Sequence, residues 1–106
     1  MRVYLDDVRE PYEGWVLVKT AEEVITLLRA GSVAQLSLDH DLGMRETSPG
    51  IFVEVEAFDG TWLVKSMIRE GLWPTEKPLV HSANPPAAKR MRDLIDAFFG
   101  KKEENI

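Results

Sequence analysis

The segment Asp39-His40-Asp41 follows the short alternating run Leu36-Ser37-Leu38 and sets two carboxylates around one imidazole, with Gly43 just beyond. Like charges a few ångströms apart repel unless a cation or a proton comes between them. The triplet therefore points to a bound cation or to proton transfer. The pattern recurs twice: Arg2-Val3-Tyr4-Leu5 runs into Asp6-Asp7, and Pro78-Leu79-Val80 runs into His81-Ser82-Ala83-Asn84. Carboxylate oxygens with water suit a hard divalent cation, Mg²⁺ or Mn²⁺, and Asp6, Asp7, Asp39 and Asp41 are its expected ligands. His40 and His81, the two histidines of the chain, titrate near neutrality and are candidate general base and acid. Ser82 offers a hydroxyl, and Asn84 with Pro85 behind it predicts a helix start whose free amides would hold a phosphate oxygen. The chemistry these groups share is a cation-dependent reaction of a phosphate ester. The plainer alternatives are a solvated acidic turn and histidines that only satisfy hydrogen bonds.

These groups can act together only if the elements that carry them bring them together. Each cluster stands where an apolar strand ends. In a parallel sheet, the carboxyl ends of neighbouring strands lie side by side and ligands bind in the crevice beyond them, so the three clusters are expected to converge. Between them, Trp15-Val16-Leu17-Val18 predicts a second strand, reached through an unusually short crossover containing Pro11 and Gly14. Thr20 and Glu23 have capping-box spacing, Val24, Leu27 and Leu28 share a face, and Gly31 stops the helix. Residues 44–60 predict a flap beside the acidic site: Ser48-Pro49-Gly50 as a turn, Ile51 to Val55 as a strand, and Asp59-Gly60 as a second, hairpin-type turn. Thr61 to Glu70 predicts a helix with Leu63, Val64, Met67 and Ile68 inward. In the last helix Met91, Leu94, Ile95 and Phe98 form the stripe, ended by Gly100.

Length and composition bound the function. One domain over residues 1–106 is expected, large enough for a core without staples. There is no cysteine, so no disulfide or thiolate site is available. A formal net charge of −5 argues against sequence-independent binding to long nucleic acid, which needs basic patches. No apolar run approaches the ~18 residues needed to cross a membrane. A soluble, cytoplasmic protein acting on a small phosphate ester is the expectation, with oligomeric state left open.

At these residues the chain resembles known proteins. Asp6-Asp7, Asp39 and Ser82-Ala83 are similar to the acidic pair, phosphoacceptor aspartate and Ser/Thr-Ala of response-regulator receiver domains. The phrases Leu5-Asp6-Asp7-Val8-Arg9, Ser37-Leu38-Asp39-His40-Asp41-Leu42-Gly43 and His81-Ser82-Ala83-Asn84-Pro85 resemble more closely a receiver-derived family, the cyclic-phosphate-processing receiver domains. The resemblance covers most of the chain apart from residues 44–58 and the tail. It implies an α/β fold of the truncated receiver-like (flavodoxin-like) kind, a three-layer sandwich on a parallel sheet of about four strands in the order 2-1-3-4. It also implies an activity on cyclic phosphates of RNA ends or nucleotides. The chain departs from an ordinary receiver in having no fifth strand, hence no strand-end lysine for a phosphoryl group, and in carrying His40 and His81 at the site. A metal-dependent phosphodiesterase is the leading expectation. The alternatives are a module phosphorylated on Asp39 and a non-catalytic nucleotide- or metal-binding module.

Overall fold

The computed structural model describes residues 1–7, 9–41, 44–54 and 59–103. In chain order the elements are β1 (Arg2–Leu5), β2 (Val16–Val18), α1 (Ala21–Arg29), β3 (Gln35–Leu38), β4 (Met44–Ser48), β5 (Ile51–Glu54), α2 (Gly60–Glu70), β6 (Leu79–Val80) and α3 (Pro85–Phe98). Strands β2, β1, β3 and β6 form one parallel sheet in that order. This is the 2-1-3-4 order of an α/β receiver-like fold, with β6 as the fourth strand.

Strand alternation explains which residues face the helices. Val3, Leu5, Leu36 and Leu38 join a single buried cluster with Val24 and Leu28 of α1, Leu63, Val64, Met67 and Ile68 of α2, and Met91 and Ile95 of α3. All three helices therefore cover the same face of the sheet. The register places Leu17, Tyr4, Ser37 and Leu79 in one row across the strands, and alternation points that row to the opposite face. There the third layer of the sandwich is supplied by a loop instead of a helix: Tyr12 packs edge-on against Tyr4 with ring centroids 5.0 Å apart, and Trp15 against Tyr12 at 5.4 Å. The short β1–β2 connection is long enough for that loop and too short for a helix.

The helix signals hold locally. Thr20 caps α1 by accepting from the Glu23 N–H, and its hydroxyl donates to the Glu23 carboxylate at 2.9 Å. Gly71 closes α2 at φ 68°, a left-handed geometry that glycine adopts without strain. One boundary differs from expectation. Asp59-Gly60 is not a hairpin turn but the start of α2: Asp59 is its N-cap, accepting from the Trp62 N–H at 2.9 Å, and Gly60 is its first residue. Aspartate is among the strongest N-cap residues, and the Asp-Gly turn signal masked that role. The hairpin itself is β4 paired antiparallel with β5; Val55 lies outside the described residues. Among the described residues no helix is long and apolar enough to cross a membrane.

Candidate functional site

Three strands of the sheet, β1, β3 and β6, each stop one residue before a site group. The N–H of Asp6 donates to the Val18 carbonyl at 3.1 Å, that of Asp39 to Leu5 at 3.1 Å, and that of His81 to Leu38 at 2.9 Å. These bonds extend the parallel ladder by one step, so Asp6, Asp39 and His81 occupy adjacent strand ends. Because Leu5 and Leu38 face the helices, the residues that follow them face the loop side, with Tyr4 and Ser37.

Asp6, Asp7 and Asp39 have carboxylate oxygens within 4.8 Å of one another, Asp6 being buried and the other two partly so. Burial, and after it the charge of Asp6, push the Asp39 carboxyl up from 3.8 to about 6; the His40 N–H, 2.8 Å from Asp39 Oδ1, opposes that shift. Three carboxylates crowded this closely are the donor set a hard divalent cation relieves. The residues present fit Mg²⁺ or Mn²⁺.

The strain carries a pH signature. A carboxyl whose folded value is raised favours the folded state below its unfolded value and loses that advantage as pH rises through about 6. The metal-free Asp39→Asn variant is therefore expected to match the parent in stability near pH 4 and to exceed it by about 2–3 kcal/mol above pH 7. Urea denaturation across that pH range measures the difference.

His81 is fixed on three sides. Its ring stacks on Tyr4 with centroids 4.2 Å apart, Nδ1 lies 2.7 Å from Ser37 Oγ, and Nε2 lies 3.1 Å from Asp6 Oδ2. Burial lowers its pKa below 6.5, against the raising influence of Asp6. A neutral ring that donates from Nε2 to Asp6 must accept at Nδ1 from the Ser37 hydroxyl. Both nitrogens are thus engaged, and His81 links the Asp6 carboxylate to the Ser37 hydroxyl. His81→Ala is expected to cost 1–3 kcal/mol, because Ser37 and Asp6 are both buried and each loses a partner. His81→Gln, which keeps an N–H donor, is expected to recover part of that loss in the same denaturation assay.

His40 sits between two carboxylates, with Nδ1 2.7 Å from Asp41 Oδ1 and Nε2 3.2 Å from Asp59 Oδ2. Asp41, expected as a fourth cation ligand, lies outside the carboxylate cluster, exposed and turned to His40. The reason is reach: it stands three residues past the end of β3, where the chain has left the sheet. The start of α2 is held against this segment, since the Gly60 N–H donates to the His40 carbonyl at 3.0 Å.

The start of α3 also differs from expectation. Both Pro85 and Pro86 lack an N–H, the Ala87 N–H is taken by Asn84 Oδ1 at 3.3 Å, and the Ala88 N–H by the Asn84 carbonyl at 2.9 Å. Ser82 Oγ accepts from the Asn84 N–H at 3.1 Å. The helix start is capped from within, and the amides expected to receive a phosphate are not free there. Four participants were missed in the sequence: Ser37, Tyr4, Asp59 and Arg9. For Ser37 a signal existed, a small polar residue inside an apolar strand. Arg9 donates from Nη1 to the His81 carbonyl at 2.9 Å and from its backbone N–H to Asp6 Oδ1 at 2.9 Å.

The family model for the cyclic-phosphate processing receiver domain matches residues 1–97. No curated protein and no solved structure matches the chain.

Proposed function

The chain belongs to the family of cyclic-phosphate processing receiver domains, and from that premise we propose that it is a divalent-metal-dependent phosphodiesterase that opens a small cyclic phosphate, of the 2′,3′-cyclic nucleotide or RNA-end type. The observation that carries the reading is the cluster of Asp6, Asp7 and Asp39, whose carboxylates crowd within 4.8 Å at the ends of two strands. In this reading these three residues hold Mg²⁺ or Mn²⁺, which when bound supplies Lewis acidity toward the phosphoryl oxygens and makes nearby water more acidic.

The protein's own groups do the rest. Ring opening adds one water across a P–O ester bond: the water oxygen joins phosphorus, one of its protons is taken up, and the departing ester oxygen gains a proton. His40 is the proton-moving group, since Asp41 orients its ring through the short contact at Nδ1, while the longer contact at Nε2 is to Asp59, whose other oxygen is already spent on capping α2. His81 keeps the Asp6 carboxylate aimed into the cluster, with Ser37 setting its tautomer. Ser82 and Asn84 shape the loop beside it through their mutual hydrogen bond.

The test is a ring-opening screen against 2′,3′-cyclic nucleotides and cyclic-phosphate RNA ends, with Mg²⁺, with Mn²⁺ and with chelator. Metal-dependent monoester formation, lost in His40→Ala with the fold intact, supports the reading. A second reading rests on the similarity of Asp6, Asp7 and Asp39 to a receiver's acidic pair and phosphoacceptor: Asp39 would accept a phosphoryl group. Incubation with acetyl phosphate and Mg²⁺ would then add one phosphate's mass at Asp39.

A further inference from the structure

A phosphate that approaches Asp6, Asp7 and Asp39 meets negative charge, and a single divalent cation shared with three carboxylates leaves that charge uncompensated. The amides at the start of α3 are already spent, two of them replaced by proline. The phosphoryl oxygens therefore need another donor at this rim, and it must be cationic.

Arg9 stands there. Its backbone N–H is 2.9 Å from Asp6 Oδ1, which pins the residue beside the cluster, and its Nη1 reaches the His81 carbonyl at 2.9 Å. The Tyr4 side chain lies close enough to feel its charge. These contacts tie one side chain to the ends of β1 and β6, across the crevice between them. The residue is exposed, and no carboxylate forms an ion pair with it among the described residues. A guanidinium carries five N–H donors in a planar fork that matches phosphate oxygens. The one carbonyl partner leaves donors over, and the anchoring lowers the entropy lost when an anion binds.

We infer that Arg9 is the residue that binds the phosphoryl oxygens of the substrate; the inference rests on the phosphate-ester reading of the site. Charge-assisted, bidentate contacts of this kind are the strong ones. Arginine is suited to the position because it can hold the backbone carbonyl and the ligand at once.

The experiment is calorimetric titration of inorganic phosphate into the full chain in saturating Mg²⁺, for the parent, Arg9→Gln and Arg9→Lys, beside the melting shift that Mg²⁺ alone produces. Arg9→Gln is expected to weaken phosphate binding about tenfold to hundredfold. Arg9→Lys should fall between, since it keeps the charge and loses the fork, and the Mg²⁺ shift should be the same in all three. With a cyclic phosphate, Arg9→Gln should raise KM more than it lowers kcat. Equal phosphate affinity in the parent and Arg9→Gln, or no phosphate binding by the parent, overturns the assignment. Loss of the Mg²⁺ shift together with phosphate binding also overturns it, since Arg9 would then be holding the loop alone. Phosphate binding that depends on Arg9, without turnover of any cyclic ester, supports the assignment and counts against the phosphodiesterase reading. Turnover with unchanged KM in Arg9→Gln does the reverse.

Discussion

Asp39→Asn is expected to abolish both cation binding and turnover while leaving the metal-free fold at least as stable as the parent. The Asp39 carboxyl is raised to about 6, so at neutral pH its ionisation is held against burial and the charge of Asp6. Asparagine keeps an oxygen for the His40 N–H, 2.8 Å away in the parent, and removes the charge. A ligand that binds the folded state alone stabilises it by about 2.7 kcal/mol at a hundredfold excess over Kd. For a domain of this size that is a melting shift of roughly 10–20 °C, and the variant should lose nearly all of it. Since the Lewis acidity of a bound metal contributes several kcal/mol to the barrier, turnover should fall by about a thousandfold. Melting curves with and without Mg²⁺ and Mn²⁺, read beside initial rates, measure both effects. An undiminished metal shift in Asp39→Asn would remove Asp39 from the cation site.

Gly60→Ala is expected to destabilise the fold by about 3 kcal/mol, the upper end of what overpacking costs, and to weaken cation binding with it. A Cβ at Gly60 would stand 2.4 Å from the Asp39 carbonyl oxygen and 2.8 Å from the His40 Cα, both main-chain atoms that cannot swing aside. The Met91 Cε at 2.7 Å could move, the backbone could not without shifting the very segment that carries Asp39 and His40. The sign is informative. At an open first position of a helix, alanine in place of glycine is neutral or stabilising by about 1 kcal/mol, so a stabilised Gly60→Ala would contradict the close approach of α2 to the site. A denaturation midpoint and a Mg²⁺ titration decide it.

Much of this arrangement was legible in the sequence, for identifiable reasons. The strand ends were readable because apolar runs break into carboxylates at Leu5-Asp6 and Leu38-Asp39, and a parallel sheet has one place for such ends to meet. The helix faces were readable because Val24 and Leu28, or Met91 and Ile95, repeat at helical spacing. What escaped is non-local. Ser37 and His81 are 44 residues apart and Asp6 and His81 are 75 apart, and their pairing depends on register and on which face of the sheet each side chain takes. The partners of His81, a candidate acid or base by its place at a strand end, were therefore not readable, and it is engaged at both nitrogens. Asp41 looked equivalent to Asp39 because spacing alone does not show where the chain leaves the sheet. The missing helix on the loop face was foreshadowed by the short crossover before Val16, while the packing of Tyr12 and Trp15 over Tyr4 was not.

The most direct measurement of the central claim is phosphorus NMR of a 2′,3′-cyclic nucleotide mixed with the protein and Mg²⁺. The account expects the cyclic diester resonance to be replaced by a monoester resonance in the parent, not in Asp39→Asn, and not when the cation is chelated. An unchanged diester for every cyclic ester tried, with stable labelling of Asp39 by acetyl phosphate in the same Mg²⁺ buffer, would contradict the hydrolase and leave a phosphoacceptor in its place.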